Sequence, residues 1–107
     1  MSDLASRACV PCHGGVPRLR GAELARYAQE VPAWAVTDEH HLRRAYKFPN
    51  FDAALAFVNR VGALAEREGH HPDISFGWGY AELTIYTHAI DGLSESDFIL
   101  AAKIDLL

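Results

Sequence analysis

The chain lacks any apolar run approaching the roughly 20 residues that cross a bilayer, and it lacks a basic cluster longer than Arg43-Arg44. The first absence argues against a membrane span. The second, with 14 acidic against 10 basic residues and a formal net charge of −4, removes the electrostatic footprint expected of a protein that binds nucleic acid or an anionic membrane. The polar start Met1-Ser-Asp-Leu-Ala-Ser-Arg has no apolar core of a signal peptide, so the expectation is a soluble, cytoplasmic protein. No internal repeat or low-complexity tract is present. Cysteine is scarce, and the two cysteines stand together in Cys9-Val-Pro-Cys12-His13. Four readings of that segment remain open: c-type haem attachment, which requires export; a zinc site completed by a loop histidine or a second subunit; a reversible disulfide; and a plain lead-in ending at Gly14-Gly15.

What is present fits one small domain, because 107 residues bury a single two-layer core but not two independent ones. Residues 1–20 carry Pro11, Gly14, Gly15 and Pro17 without periodicity and read as an irregular N-terminal arm, ordered only by docking. Residues 21–107 form the domain proper. Leu24, Tyr27 and Ala28 recur at helical spacing before a stop at Pro32. Residues 34–37 and 40–48 flank the polar Asp38-Glu39 and suggest a hairpin, the second strand alternating imperfectly through Leu42, Ala45 or Arg44, Tyr46 and Phe48. Asn50 is a plausible N-cap for a long amphipathic helix with Phe51, Ala54, Leu55, Val58, Gly62 and Ala65 on one face, ending at Gly69.

Residues 74–78 and 80–87 are rich in β-branched and aromatic residues, and Ala81, Leu83 and Ile85 alternate with Glu82, Thr84 and Tyr86. That alternation predicts that His88 continues the polar side of its strand. Ser94 and Asp97 form a capping box opening a last helix through Phe98, Ala101, Ala102 and Leu106. The order α-β-β-α-β-β-α implies an α+β domain: a single four-stranded antiparallel sheet with helices packed on one face.

The residues with the most chemistry are three of the six histidines, gathered in Gly69-His70-His71-Pro72 and Thr87-His88. Imidazole titrates closest to neutral pH, so proton transfer is the first hypothesis. Gly69 ends a helix and Pro72 biases His71 toward extended backbone, which holds His70 and His71 at a helix-to-strand corner. If the next two strands pair through Gly77-Trp78-Gly79, His88 returns beside that corner and three imidazoles converge. A metal site is a weaker reading, because no histidine pair has the spacing of neighbouring helical ligands and Glu66 lies four residues back on the helix. Neither a metal nor a cofactor is needed for imidazole acid–base work. Capping can by itself explain Asp97, and burial in the core Trp34, with a role in the site open for each.

Taken in order, Glu66, His70-His71-Pro72, Trp78, Thr87-His88 and Asp97 within Gly92-Leu-Ser-Glu-Ser-Asp97 resemble the pterin-4a-carbinolamine dehydratase family, over residues 34–103. The resemblance implies dehydration of a 4a-hydroxytetrahydropterin to the quinonoid dihydropterin, the recycling step that follows an aromatic amino acid hydroxylase. On that resemblance His71 and His88 share the acid and base roles at the C4a hydroxyl, and His70 positions the substrate or handles the second proton. Glu66 orients a histidine, and Trp78 either flanks the flat pterin or packs. The family also implies a homodimer or homotetramer, and a second class of function as a dimerisation or assembly partner of other proteins.

Overall fold

The computed structural model describes residues 3–9 and 17–107. Its elements run α1 (Gly21–Glu30), β1 (Ala35–Thr37), β2 (His41–Lys47), α2 (Phe51–Glu68), β3 (Asp73–Gly77), β4 (Tyr80–Ile85) and α3 (Glu95–Ile104), with 3-10 turns at Leu4–Ser6 and His88–Ile90. The four strands make one antiparallel sheet in the order β1-β2-β4-β3. This is the α+β class and element order that the residue pattern implies.

Strand register explains the irregular pattern of β2. Leu42 pairs with Ile85, Arg44 with Leu83 and Tyr46 with Ala81, so these positions share the face toward the helices. Leu42, Ala81, Leu83 and Ile85 are fully buried there. Arg44 belongs to this face because its guanidinium reaches the Asp105 carboxylate at 2.6 Å and lies over the Tyr46 ring at 4.6 Å. The Trp34 indole N–H donates to the same carboxylate at 2.9 Å, with the ring buried. The opposite face carries Arg43, Ala45 and Lys47 with their register partners Thr84, Glu82 and Tyr80.

Helix α2 starts as expected, with the Asn50 side chain accepting from the Ala53 N–H at 2.8 Å, and stops at Gly69 with φ 65°. Its buried stripe is Ala54, Phe57, Val61, Leu64 and Ala65, rotated from the face expected over Phe51, Leu55 and Gly62. Phe51 is 45 % exposed and meets the Phe76 ring at the rim of the sheet. The two candidate stripes are adjacent on one apolar helix, and only packing chooses between them. Helix α3 is the centre of the core: Ser96 to Ala102 and Ile104 are all buried. Leu106, expected to extend that helix face, lies beyond its end and is exposed.

The N-terminal arm is docked through both of its described ends. Leu4 is buried against the core, Arg7 pairs with Glu95 at 2.7 Å, and the Cys9 N–H donates to Glu68 Oε1 at 3.1 Å. Leu19 N–H donates to the Leu93 carbonyl at 2.8 Å. Burial, reinforced by Glu68, pushes the Cys9 thiol up to about 12, so it packs as a neutral thiol. Cys12 and His13, the partners that a zinc, haem or disulfide reading of Cys9 would need, lie outside the described residues. Among the described residues no helix is long and apolar enough to cross a membrane.

Candidate functional site

The α2-to-β3 corner positions the first two imidazoles. Gly69 adopts the left-handed conformation that a residue with a Cβ enters only at a cost, and its N–H bonds back to the Ala65 and Glu66 carbonyls. The His70 N–H closes on the Ala65 carbonyl at 3.2 Å. From there the two side chains diverge, as adjacent residues leaving a helix in extended backbone must. His70 turns inward, and its Nε2 meets Asp97 Oδ1 at 2.5 Å with only 13 % of the side chain exposed. His71 turns outward and stands 3.5 Å from Glu66 Oε2, both side chains largely exposed.

Asp97 does two jobs at once. Its Oδ2 accepts the Ser94 N–H at 2.8 Å, completing the capping box of α3, and also the Thr87 hydroxyl at 2.8 Å. Its Oδ1 is left for His70. A fully buried carboxylate is tolerated only when its lone pairs are taken up, and here the helix cap, the Thr87 hydroxyl and the imidazole take them up together. Since the carboxylate accepts, His70 Nε2 carries the proton and the ring orientation is fixed. The cap alone therefore accounts for only one of the two oxygens.

Thr87 and Gly92 form an isolated antiparallel bridge around the His88–Ile90 turn. This differs from the expectation that His88 prolongs β4: the ladder ends at Ile85, and the 3-10 turn, not strand alternation, directs His88. The result still brings it to the corner. An open cavity of about 380 Å³ is lined by Gly69, His70, His71, Pro72, Asp73, Tyr86, Thr87 and His88. His70, His71, His88, Pro72 and Thr87 are thus gathered at one place, with Glu66 behind His71 and Asp97 behind His70. Trp78 is not. It sits in the β3–β4 turn at the other end of both strands, 71 % exposed, beside a separate groove with Tyr46, Phe48 and Tyr80. Strand length separates the hairpin tip from the corner.

Residue spacing did not disclose Tyr86, His40 and Asp91. The Tyr86 ring stacks on His88 with centroids 4.2 Å apart and an interplanar angle of 29°, and it also meets the His40 ring at 4.6 Å. His40 Nε2 lies 2.8 Å from Asp91 Oδ1, and its Nδ1 lies 3.1 Å from Nδ1 of His41. The hydrogen bond from His40 and its charge hold the Asp91 carboxyl below the usual carboxylate range. The sequence clue is a second histidine pair, His40-His41, which spans the last turn residue and the first residue of β2.

Chemically, the cavity offers two exposed imidazoles and a third fixed by a buried carboxylate, an arrangement suited to moving protons on a polar ligand. Among the described residues no group of three or more His, Cys, Asp or Glu side chains is placed to hold a metal ion.

A family model described as pterin 4 alpha carbinolamine dehydratase matches residues 17–107. The chain is 64% identical over 107 residues, covering 100% of both chains, to a protein of Rubrobacter xylanophilus whose own assignment as a pterin-4-alpha-carbinolamine dehydratase is provisional. A protein of Alkaliphilus metalliredigens with the same provisional name is 50% identical over 98% of this chain and 96% of its own. Among solved structures, a transcriptional coactivator/pterin dehydratase from Brucella melitensis superposes with a TM-score of 0.77 at 27% identity, over 83% of this chain and 96% of its own. A pterin dehydratase-like protein identified as a RuBisCO assembly factor in the alpha-carboxysome gives 0.60 at 28% identity, over 69% and 87%.

Proposed function

The chain belongs to the pterin 4 alpha carbinolamine dehydratase family, and from that premise we propose that it eliminates water from a 4a-hydroxytetrahydropterin to give the quinonoid dihydropterin. The observation that carries this reading is the convergence of His70, His71 and His88 on one cavity, each held by a different device. Losing water from a carbinolamine requires a proton delivered to the departing C4a hydroxyl and removal of the N5 proton as the C=N bond forms. His71 and His88, whose rings are exposed to the cavity, act as the acid and base. His70, committed to Asp97 through Nε2, positions the ligand. Glu66 steadies His71, and Thr87 and Asp97 act through His70. Trp78 has no part in this cavity. The reaction uses no cofactor. It would serve recycling of tetrahydropterin after an aromatic amino acid hydroxylase, in the cytoplasm, by a homodimer or homotetramer.

Turnover of a synthetic 4a-hydroxytetrahydropterin tests this directly. His71→Ala and His88→Ala are each expected to lower kcat roughly 10²-fold, and the double variant to fall further, to the uncatalysed rate. Full turnover by both single variants would sink the assignment, as would loss of wild-type activity on chelation. A protein-binding role is the second reading, favoured by the names of the two structural relatives. It needs none of the histidines, so a partner that binds the double variant unchanged would establish it independently.

A further inference from the structure

The segment that carries His88 is closed at both ends by one side chain outside the catalytic set. Tyr86 lies two residues before His88 and Asp91 three after it, and both contact His40, which stands in the β1–β2 turn. Tyr86 meets His40 ring to ring at 4.6 Å, and Asp91 Oδ1 meets His40 Nε2 at 2.8 Å. Asp91 is the left-handed residue that ends the His88–Ile90 turn, with φ 48°, and its carbonyl accepts from Arg18 at 3.0 Å. His40 is oriented in turn by His41, whose Nδ1 lies 3.1 Å from its own.

The geometry points to His40 as a positioning residue for His88, gripping the 86–91 segment through the Tyr86 ring at one end and the Asp91 carboxylate at the other. This rests on the dehydratase reading for its consequence and on the structure alone for its geometry. Without the grip, the turn keeps its own Ile90-to-Thr87 and Asp91-to-His88 backbone bonds, the Thr87–Gly92 bridge, the Thr87 side-chain bonds to Ser94 and Asp97, and the Arg18 contact, but none of these holds the His88 ring. His88 can then swing off Tyr86. A catalytic ring displaced by even about 1 Å loses much of its rate contribution, while binding of the flat ligand by the remaining walls changes little. The His40–Asp91 pair is largely exposed on the carboxylate side, and such pairs add little to stability. Its effect should therefore be read in the position of His88 and not in the melting temperature.

Three variants separate the two contacts. His40→Ala removes both; His40→Phe keeps a ring against Tyr86 but loses the Asp91 bond; Asp91→Asn keeps a residue that tolerates the left-handed conformation while removing the charge. Expected for His40→Ala is a roughly tenfold lower kcat with KM within about twofold. His40→Phe should show a smaller loss, and Asp91→Asn, which keeps an acceptor oxygen but loses its charge, a smaller one still, not additive in the double variant because both act on the same bond. In the free protein, NMR should find the His88 ring protons displaced by the Tyr86 ring current in wild type and returned toward the free-imidazole position in His40→Ala. An unmoved His88 resonance in His40→Ala overturns the proposal, as does a kcat loss that follows only the loss of folded protein. Should wild type fail to turn over the pterin, the dehydratase reading falls, and the substrate-free resonance decides the positioning role either way.

Discussion

Asp97 concentrates the physics of the site in one side chain. Its two oxygens, fully buried, join the start of α3, Thr87 just beyond β4 and the inward histidine. Asp97→Ala removes the shared acceptor of His70, Thr87 and Ser94, and is expected to destabilise the fold by about 3 kcal/mol, measured by urea denaturation. Asp97→Asn should cost less, because one carbonyl oxygen still accepts. The capping half of this role was legible from Ser94-x-x-Asp97 alone, since a capping box is a local pattern. The histidine half was not, because His70 lies 27 residues away in the chain. The same limit hid His40 and Asp91, whose pairing spans 51 residues.

Elements, by contrast, were readable wherever their signals were local. Asn50 and Gly69 bracket α2 as their chemistry predicts, and the Trp78-Gly79 turn closes β3 on β4. The rotation of α2 about its axis was not readable, since two apolar stripes compete on one helix and the sheet's inner face selects one. Nor was the end of β4, where the Thr87–Gly92 bridge turns the chain before alternation can place His88. Gly69 offers a clean test of the corner. A Cβ there would meet nothing within 4 Å, so the cost of Gly69→Ala is conformational: about 1 kcal/mol from φ 65°. The midpoint of chemical denaturation should fall accordingly, and kcat should fall with it as His70 and His71 shift, whereas a change in KM alone would argue against the corner as their fixed mount.

At the scale of the whole molecule, the arm joins its two ends to the domain. Leu4 fills a buried position, and Leu4→Ala should cost about 2–3 kcal/mol of global stability. The Cys9 N–H bond and then Lys103 hold the Glu68 carboxyl below its ordinary value of 4.5. A carboxyl whose folded value is lowered contributes stability above its unfolded value, and loses it as pH falls through the folded one. Arm docking should therefore be complete at pH 7 and weaken below about pH 4. Amide hydrogen exchange at Cys9, compared between wild type and Glu68→Gln at both pH values, would reveal it; equal protection in the two proteins would show that Glu68 does not hold the arm. By itself the sequence determined what short-range chemistry can dictate: the caps, the strands and turns, the α+β order, and an ordered set of histidines specific enough to mark a family. Tertiary structure decided which of those residues meet. It drew His70, His71 and His88 to one cavity and left Trp78 at the far hairpin tip, because strand register, helix rotation and the sharing of a buried carboxylate are settled only when distant segments pack together.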